Sequence, residues 1–232
     1  MKITIGINTL HVVQYSSYTN HIQFFYNLGK KGHEVVLVNP SRMSIDRMRN
    51  MSAKVAIETG SDYLLFLDDD VIVPKDGLEK LIALDSDIAA GNVIIRGYPF
   101  NYMVFKYDKH DVNLKPLTSL GGETVECDAV GFSFCLIKTE ILKQIKEPWF
   151  VTGLTNTEDI YFCIKAKRKI PSLSIHVDPS VVCRHILWDE VISEENRENY
   201  KEYFEKQFQI EPDDSNDVPY EDLLADDRVI IK

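Results

Sequence analysis

No run among the 232 residues is apolar over the twenty or so positions that a membrane-spanning helix takes. No Gly-x-Gly-x-x-Gly turn follows the first strand-like segment, and no P-loop is present. A nucleotide bound here is therefore not gripped through a glycine-rich phosphate loop. Paired cysteine motifs are missing too. Cys127, Cys135, Cys163 and Cys183 form no Cys-x-x-Cys, and each is flanked by apolar or strand-like sequence, which points to reduced buried thiols rather than a zinc site or a disulfide framework. Positive charge is short: 26 Lys and Arg face 36 Asp and Glu, a formal −10. That balance excludes a general nucleic-acid binder, which needs clustered cations to neutralise phosphate. The first residues enter a strand directly instead of showing a signal-peptide layout. The expectation is a cytoplasmic protein with an oligomeric state that the sequence leaves open.

What is present centres on residues 62–74. Tyr63 to Leu67 are largely apolar and run into Asp68, Asp69 and Asp70. A short apolar run bounded by polar residues reads as a strand buried on both faces. The three carboxylates then stand where the strand leaves the sheet, the edge at which open α/β sheets bind ligands. Adjacent carboxylates repel, and a divalent cation with oxygen ligands is the simplest compensation. The plain alternative is an acidic loop after a strand.

The rest of the chain supplies a frame for that edge. Residues 2–8 read as a strand, 20–31 as a helix with Ile22, Phe25, Tyr26 and Leu28 inward, and 33–39 as a second strand. Residues 44–59 read as a helix with Ile45, Met48, Met51, Val55 and Ala56 inward. Alternating strands and helices of these lengths give right-handed crossovers and a parallel, Rossmann-like sheet. Further strands are expected at 87–95, 101–107 and 126–137, the last broken at Gly131 by a bulge or close backbone approach. Short strands at 172–177 and 180–183 follow a helix over 160–169. Residues 193–208 read as a charged helix carrying Tyr200, Tyr203, Phe204 and Phe208, and 211–227 as a solvated acidic arm with Tyr220, Leu223 and Leu224 able to dock. The expected division is a single domain over 1–190, in two halves (1–95 and 96–190), then a C-terminal helix and acidic tail (191–232).

Two further polar groups accompany the triplet. Thr157-Glu158-Asp159 opens a helix, where the dipole favours ionised carboxylates and Thr157 can cap. Ordinary capping explains that arrangement equally well. His185 ends a strand-like run, and a lone histidine is more often packed than ligating.

Four segments occur in a telling order: Phe-Leu-Asp-Asp-Asp-Val-Ile-Val-Pro (66–74), Asp-Ala-Val-Gly-Phe-Ser-Phe-Cys-Leu-Ile (128–137), Thr-Glu-Asp-Ile-Tyr-Phe-Cys-Ile-Lys-Ala (157–166) and Val-Asp-Pro-Ser-Val-Val-Cys-Arg-His (177–185). Together they resemble a GT-A fold glycosyltransferase of the family 2 type, over roughly residues 2–186. Gly6-Ile7-Asn8-Thr9 departs from the Pro-Thr-Tyr-Asn-like segment that many members carry after the first strand. The resemblance implies a central, mostly parallel sheet flanked by helices, a small second sheet and a C-terminal helical and acidic extension, with 1–95 the nucleotide-binding half, 96–190 the acceptor and metal half, and contact with a membrane only through the acceptor. It implies transfer of a sugar from a nucleoside-diphosphate donor of the UDP or GDP type to a carbohydrate or glycoconjugate hydroxyl, with Mn²⁺ or Mg²⁺ offsetting the charge of the departing diphosphate. Carried over by residue, Asp70 binds the metal, His185 is a further ligand, Asp68 reaches the ribose or a metal-bound water, and Asp69 supports either. Asp159 is the general base for the acceptor hydroxyl, in a one-step displacement with inversion, while Glu158 orients it or binds acceptor. Trp149, in an aromatic loop, stacks on the acceptor. Asn8, Thr9, Asn39 and Arg47 lie where the nucleobase belongs.

Other classes fit less well. A sugar-nucleotide nucleotidyltransferase needs a glycine-rich loop with Arg and Lys near the first strand, and residues 8–18 have none. A phospho-acceptor receiver domain needs acidic residues after that strand. A non-enzymatic carbohydrate-binding or scaffold protein has no use for both the triplet and Glu158-Asp159, and an inactive transferase-like domain stays open as the alternative.

Overall fold

The computed structural model describes residues 1–9, 13–108, 113–154, 156–187, 190–208 and 218–219. Its elements run β1 (Lys2–Gly6), α1 (Tyr15–Lys30), β2 (Glu34–Val38), α2 (Ile45–Glu58), β3 (Tyr63–Leu67), β4 (Val71–Ile72), α3 (Gly77–Ala83), β5 (Ile88–Asn92), β6 (Val104–Asp108), β7 (Asn113–Pro116), β8 (Val125–Glu126), β9 (Ala129–Val130), β10 (Phe134–Lys138), α4 (Thr139–Gln144), α5 (Glu158–Lys169), β11 (Ile175–Val182), β12 (Arg184–Leu187), β13 (Glu190–Ile192), α6 (Arg197–Phe208) and β14 (Val218–Pro219).

The main sheet has the order β2-β1-β3-β10-β5-β11-β8. Strands β1, β2 and β3 are parallel. Strand β10 is antiparallel to both β3 and β5, so those two point the same way, and β11 is parallel to β5. Five strands therefore share one direction, as the mostly parallel expectation requires. Two small sheets flank it, β13-β12-β4 and β14-β7-β6-β9.

The apolar run of β3 is buried on both sides for the expected reason. Leu64 and Phe66 face one core with Ala53 and Ala56 of α2, Phe132, Phe150 and Phe162. Leu65 and Leu67 face the other with Ile3, Ile5, Phe24, Leu28 and Phe134. Successive strand side chains alternate, so a strand between two helical layers has no polar face. Phe66 stacks on Phe132 at 5.7 Å, and Phe150 lies 4.8 Å from Phe162.

Several expectations shift in detail. Helix α1 starts five residues early and buries Ser17, His21, Phe24 and Leu28; Ile22 and Tyr26 are exposed. Helix α2 buries Met48, Arg49, Ser52, Ala53 and Ala56, and Met51 is exposed. The expected strand at 126–137 is three pieces, β8, β9 and β10. Gly131 sits at the break because a Cβ there would lie 2.2 Å from the Met103 terminal carbon. The two strands expected at 172–183 are one, β11. On α6, Tyr200 and Phe204 dock on Phe100 at 6.0 and 5.3 Å, whereas Tyr203 is exposed. The acidic arm and its Tyr220, Leu223 and Leu224 lie outside the described residues, which include only 218–219 of that stretch. Among the described residues no helix is long and apolar enough to cross a membrane.

Candidate active site

Strand β3 delivers the triplet, and its neighbours fix the turn that follows. The Asp68 N–H donates to Ser133 O at 2.9 Å, and Val71 N–H to Asp68 O at 3.3 Å. Strand β4 then pairs with β12, setting Val71 opposite His185. Helix α1 clamps the turn from outside. Ser17 Oγ donates to Asp69 O at 2.6 Å, His21 Nε2 donates to Val71 O at 2.9 Å, and the Asn20 amide makes two 2.9 Å bonds with Val73, one to its carbonyl and one from its N–H. These uncharged contacts leave the carboxylates free to face inward.

Asp70 faces two partners. His185 Nε2 is 3.5 Å from its Oδ1, and Arg96 Nη1 is 2.7 Å from its Oδ2. Burial alone would raise the Asp70 carboxyl, but His185 and Arg96 outweigh it and hold the group below the usual carboxylate range. For Asp69 the balance is reversed: burial, with the Asp70 charge beside it, outweighs the help of Thr9 and Arg96 and pushes it up to about 6. His185 Nδ1 lies 2.8 Å from Ile94 O. A carbonyl only accepts, so Nδ1 carries a proton, and Nε2 is the nitrogen turned to Asp70.

The opposite wall comes from α2 and the start of α5. Arg49 is only 3% exposed. Its Nε donates to Glu158 Oε1 at 2.7 Å, Nη1 to Phe132 O at 3.2 Å and Nη2 to Asp68 Oδ1 at 3.3 Å. Its guanidinium also lies over the Phe66 ring, 4.8 Å from the centroid. Burial and the adjacent Asp159 charge raise the Glu158 carboxyl against the pull of Arg49. Asp159 Oδ1 accepts from the Thr157 hydroxyl and, at 2.8 Å, from Ile160 N–H. Both bonds fall on one oxygen, which leaves Oδ2 for the cleft. A space of about 700 Å³ joins the walls and takes in the triplet, Asn8, Arg49, Arg96, Glu158, Asp159 and His185.

Residues 47–145 match the family described as Glycosyl transferase family 2. Among solved structures, A197 from STIV aligns with a TM-score of 0.59 and 22% identity, over 84% of this chain and 91% of that one. GalNAc-T7, solved with UDP, GalNAc and Mn²⁺, aligns with a TM-score of 0.51 and 12% identity, over 99% of this chain and 57% of that one. The fold is GT-A, and the likeness to family 2 is carried by residues 47–145. No curated protein matches the chain. The family match, together with the GT-A fold, supports glycosyl transfer as the general chemistry.

Within this GT-A cleft the fit to a divalent cation can be tested on the donor set. Among the described residues, no three His, Cys, Asp or Glu side chains form a closed cation cage. A Mg²⁺-like ion does not need one, since it commonly takes one or two protein groups and completes its shell with water and substrate phosphate. Asp70 Oδ1 and His185 Nε2, a carboxylate oxygen and an imidazole nitrogen of the kinds that ligate divalent ions, lie 3.5 Å apart, and the second His185 nitrogen is anchored on a backbone carbonyl. That is the support a ligating histidine ordinarily has. The pair fits a cation, while Asp68 is turned to Arg49.

The GT-A cleft gathers some expected residues and not others. Asn8 is 4% exposed at its edge, and neither its amide nitrogen nor its oxygen has a hydrogen-bond partner. Thr9 is buried nearby, bridged to Ser41. Asn39 and Arg47 are exposed and do not line the cleft. Arg47 loses its expected place by helical phase: two residues along a helix is more than half a turn, and Arg49 occupies the inward position. Trp149 is corrected as well. It is 4% exposed in the core, its indole N–H donates to Leu142 O at 2.8 Å, and it presents no face to an acceptor. Sequence reading missed Arg49, Arg96 and the α1 clamp. Arg49 had a signal, since it stands four residues before Ala53 and seven before Ala56, on the small-residue face of α2. Arg96 follows β5 without any motif.

Proposed function

We propose that this protein is a metal-dependent glycosyltransferase. It moves a sugar from a nucleoside-diphosphate donor of the UDP or GDP type to a hydroxyl of a glycan or glycoconjugate. The observation that carries this reading is the meeting of two acidic groups, Asp68–Asp70 and Glu158–Asp159, across one cleft at the carboxyl edge of β3. GalNAc-T7, which shares the fold, was solved with UDP and Mn²⁺, and a donor and ion of that kind suit this cleft.

Asp70 and His185 would hold Mn²⁺ or Mg²⁺, with Asp68 and Asp69 beside them toward ribose and bound water. Once bound, the ion supplies positive charge for the leaving diphosphate. The free amide of Asn8 offers both a donor and an acceptor, which suits the edge of a nucleobase. Asp159 Oδ2 takes the proton of the acceptor hydroxyl as the oxygen attacks the anomeric carbon and the bond to the diphosphate breaks, giving inversion. Thr157 and Ile160 hold the other oxygen of Asp159, which fixes the carboxylate in place. Glu158, tied to Arg49, sets that wall and borders the acceptor. Four buried unpaired cysteines agree with a reducing, cytoplasmic setting.

A thermal-shift screen of UDP, GDP, dTDP and CMP, each with and without Mn²⁺, tests the reading. A ligand of the folded state raises stability in proportion to RT ln(1 + [L]/Kd). The expected result is a shift with one nucleotide that needs Mn²⁺ and is lost in Asp70→Ala. A cooperative melt that no nucleotide moves would overturn the proposal.

A further inference from the structure

The cleft contains five carboxylates, Asp68, Asp69, Asp70, Glu158 and Asp159, and two guanidiniums, Arg49 and Arg96. A nucleoside diphosphate adds more negative charge to this surplus. Arg49 is not available to meet it. It is buried, bonded to Glu158, Asp68 and the Phe132 carbonyl, and packed over Phe66. Arg96 differs on each count. Half of its side chain is exposed, and among the described residues its ion pair is with Asp70. It stands at the mouth of a short excursion after β5 that is closed by Ile95 N–H donating to Asn101 O at 2.9 Å. The stem is fixed, and the guanidinium is long enough to sweep the cleft.

We propose that Arg96 is a diphosphate-gripping residue that exchanges partners. Without a cation its guanidinium occupies Oδ2 of Asp70. A divalent ion competes for the same carboxylate, and the displaced fork turns to the donor's phosphates, whose oxygens it matches in a bidentate way. This inference rests on the glycosyltransferase reading and adds to it a residue for the leaving group. Two consequences have opposite sign. Arg96 weakens binding of the ion alone, because the two positive charges compete for Asp70. It strengthens binding of a diphosphate once the ion is in place. A residue that only braced Asp70 would produce neither pair of effects together.

Calorimetric titrations of the intact chain test both, with Arg96→Met removing the charge at similar length and Arg96→Lys keeping the charge without the fork. Because the side chain is half exposed, both variants are expected to melt like the wild type. In the first titration the probe is Mn²⁺ alone. Arg96→Met should bind it about tenfold more tightly, a change of about 1.4 kcal/mol, with Arg96→Lys close to wild type. In the second, UDP and GDP are titrated at saturating Mn²⁺, with UMP and GMP beside them. Arg96→Met should bind the diphosphate about tenfold more weakly and leave the monophosphate unchanged. Equal Mn²⁺ affinity in all three proteins, or an equal loss for mono- and diphosphate, overturns the exchange. Wild-type protein that binds Mn²⁺ but no nucleotide overturns the glycosyltransferase reading instead, while the Mn²⁺ series still decides whether Arg96 and the ion compete for Asp70.

Discussion

Arg49 and Arg96 both meet carboxylates of the aspartate triplet, yet one is 3% exposed and the other has half its side chain in solvent. The wall around Arg49 is closed. Its charge is met by two acids, a carbonyl and an aromatic face, so it holds the start of α5 against α2 and β3. The wall around Arg96 is open, with one ion pair among the described residues, a histidine anchored at its far nitrogen and a turn pinned from behind by α1. The contrast separates two tasks for the same residue type. A fully partnered buried arginine builds the site, and a singly partnered exposed one can act in it.

Substitution at the closed wall should cost most. Arg49→Met leaves Glu158 and Asp68 without their shared counter-charge, and a denaturant melt should show a loss of about 3–5 kcal/mol. Arg96→Met should stay within about 1 kcal/mol of wild type in the same melt. Equal losses would erase the distinction between the walls. Next comes chemistry. Asp159→Asn should lower nucleotide release from the donor sugar, in the presence of acceptor, by about 10²–10⁴-fold, with nucleotide affinity retained. A variant that turns over normally would remove Asp159 as the base. Asn20→Ala cuts both bonds that hold Val73. It should reduce stability by about 1–3 kcal/mol and weaken Mn²⁺-dependent nucleotide binding, which a thermal-shift titration can read. The smallest effect lies away from the cleft. Burial would raise the Asp128 carboxyl, but bonds from Lys167 and the Tyr107 N–H hold it below the usual range. Its contribution is present above the ordinary carboxylate pKa of about 4 and fades as pH falls through the lowered native value. Acid melts of Asp128→Asn should lack that part of the slope, worth at most about 1 kcal/mol for a pair partly open to solvent.

The parts that were legible in the sequence depend on local pattern. The apolar run of β3 ending in three aspartates, and the acids opening α5, announce themselves through burial period and helix-start chemistry. The parts that were not legible depend on phase and on long-range contact. An inward face read from apolar residues passes over Arg49, since a buried arginine is expected only where acids from distant segments, here Glu158 and Asp68, arrive to meet it. Trp149 looked like a sugar platform because it sits among aromatics before a glycine, and nothing local shows that the Leu142 carbonyl waits for its N–H. Ser17, Asn20 and His21 look like surface helix residues until the turn of residues 69–73 is laid against them.

Strand β10 has a consequence for how the molecule is made. It lies between β3 and β5, and those two strands do not pair with each other. During synthesis the chain that carries β1, β2 and β3 has an open hydrogen-bonding edge beside the aspartate triplet until residues 134–138 emerge. Pairings this distant in sequence form late, because a long loop must close before they contribute. The edge that carries the triplet is therefore a late product of folding, and a nascent chain stopped before β10 has the triplet without the strand that sets its position.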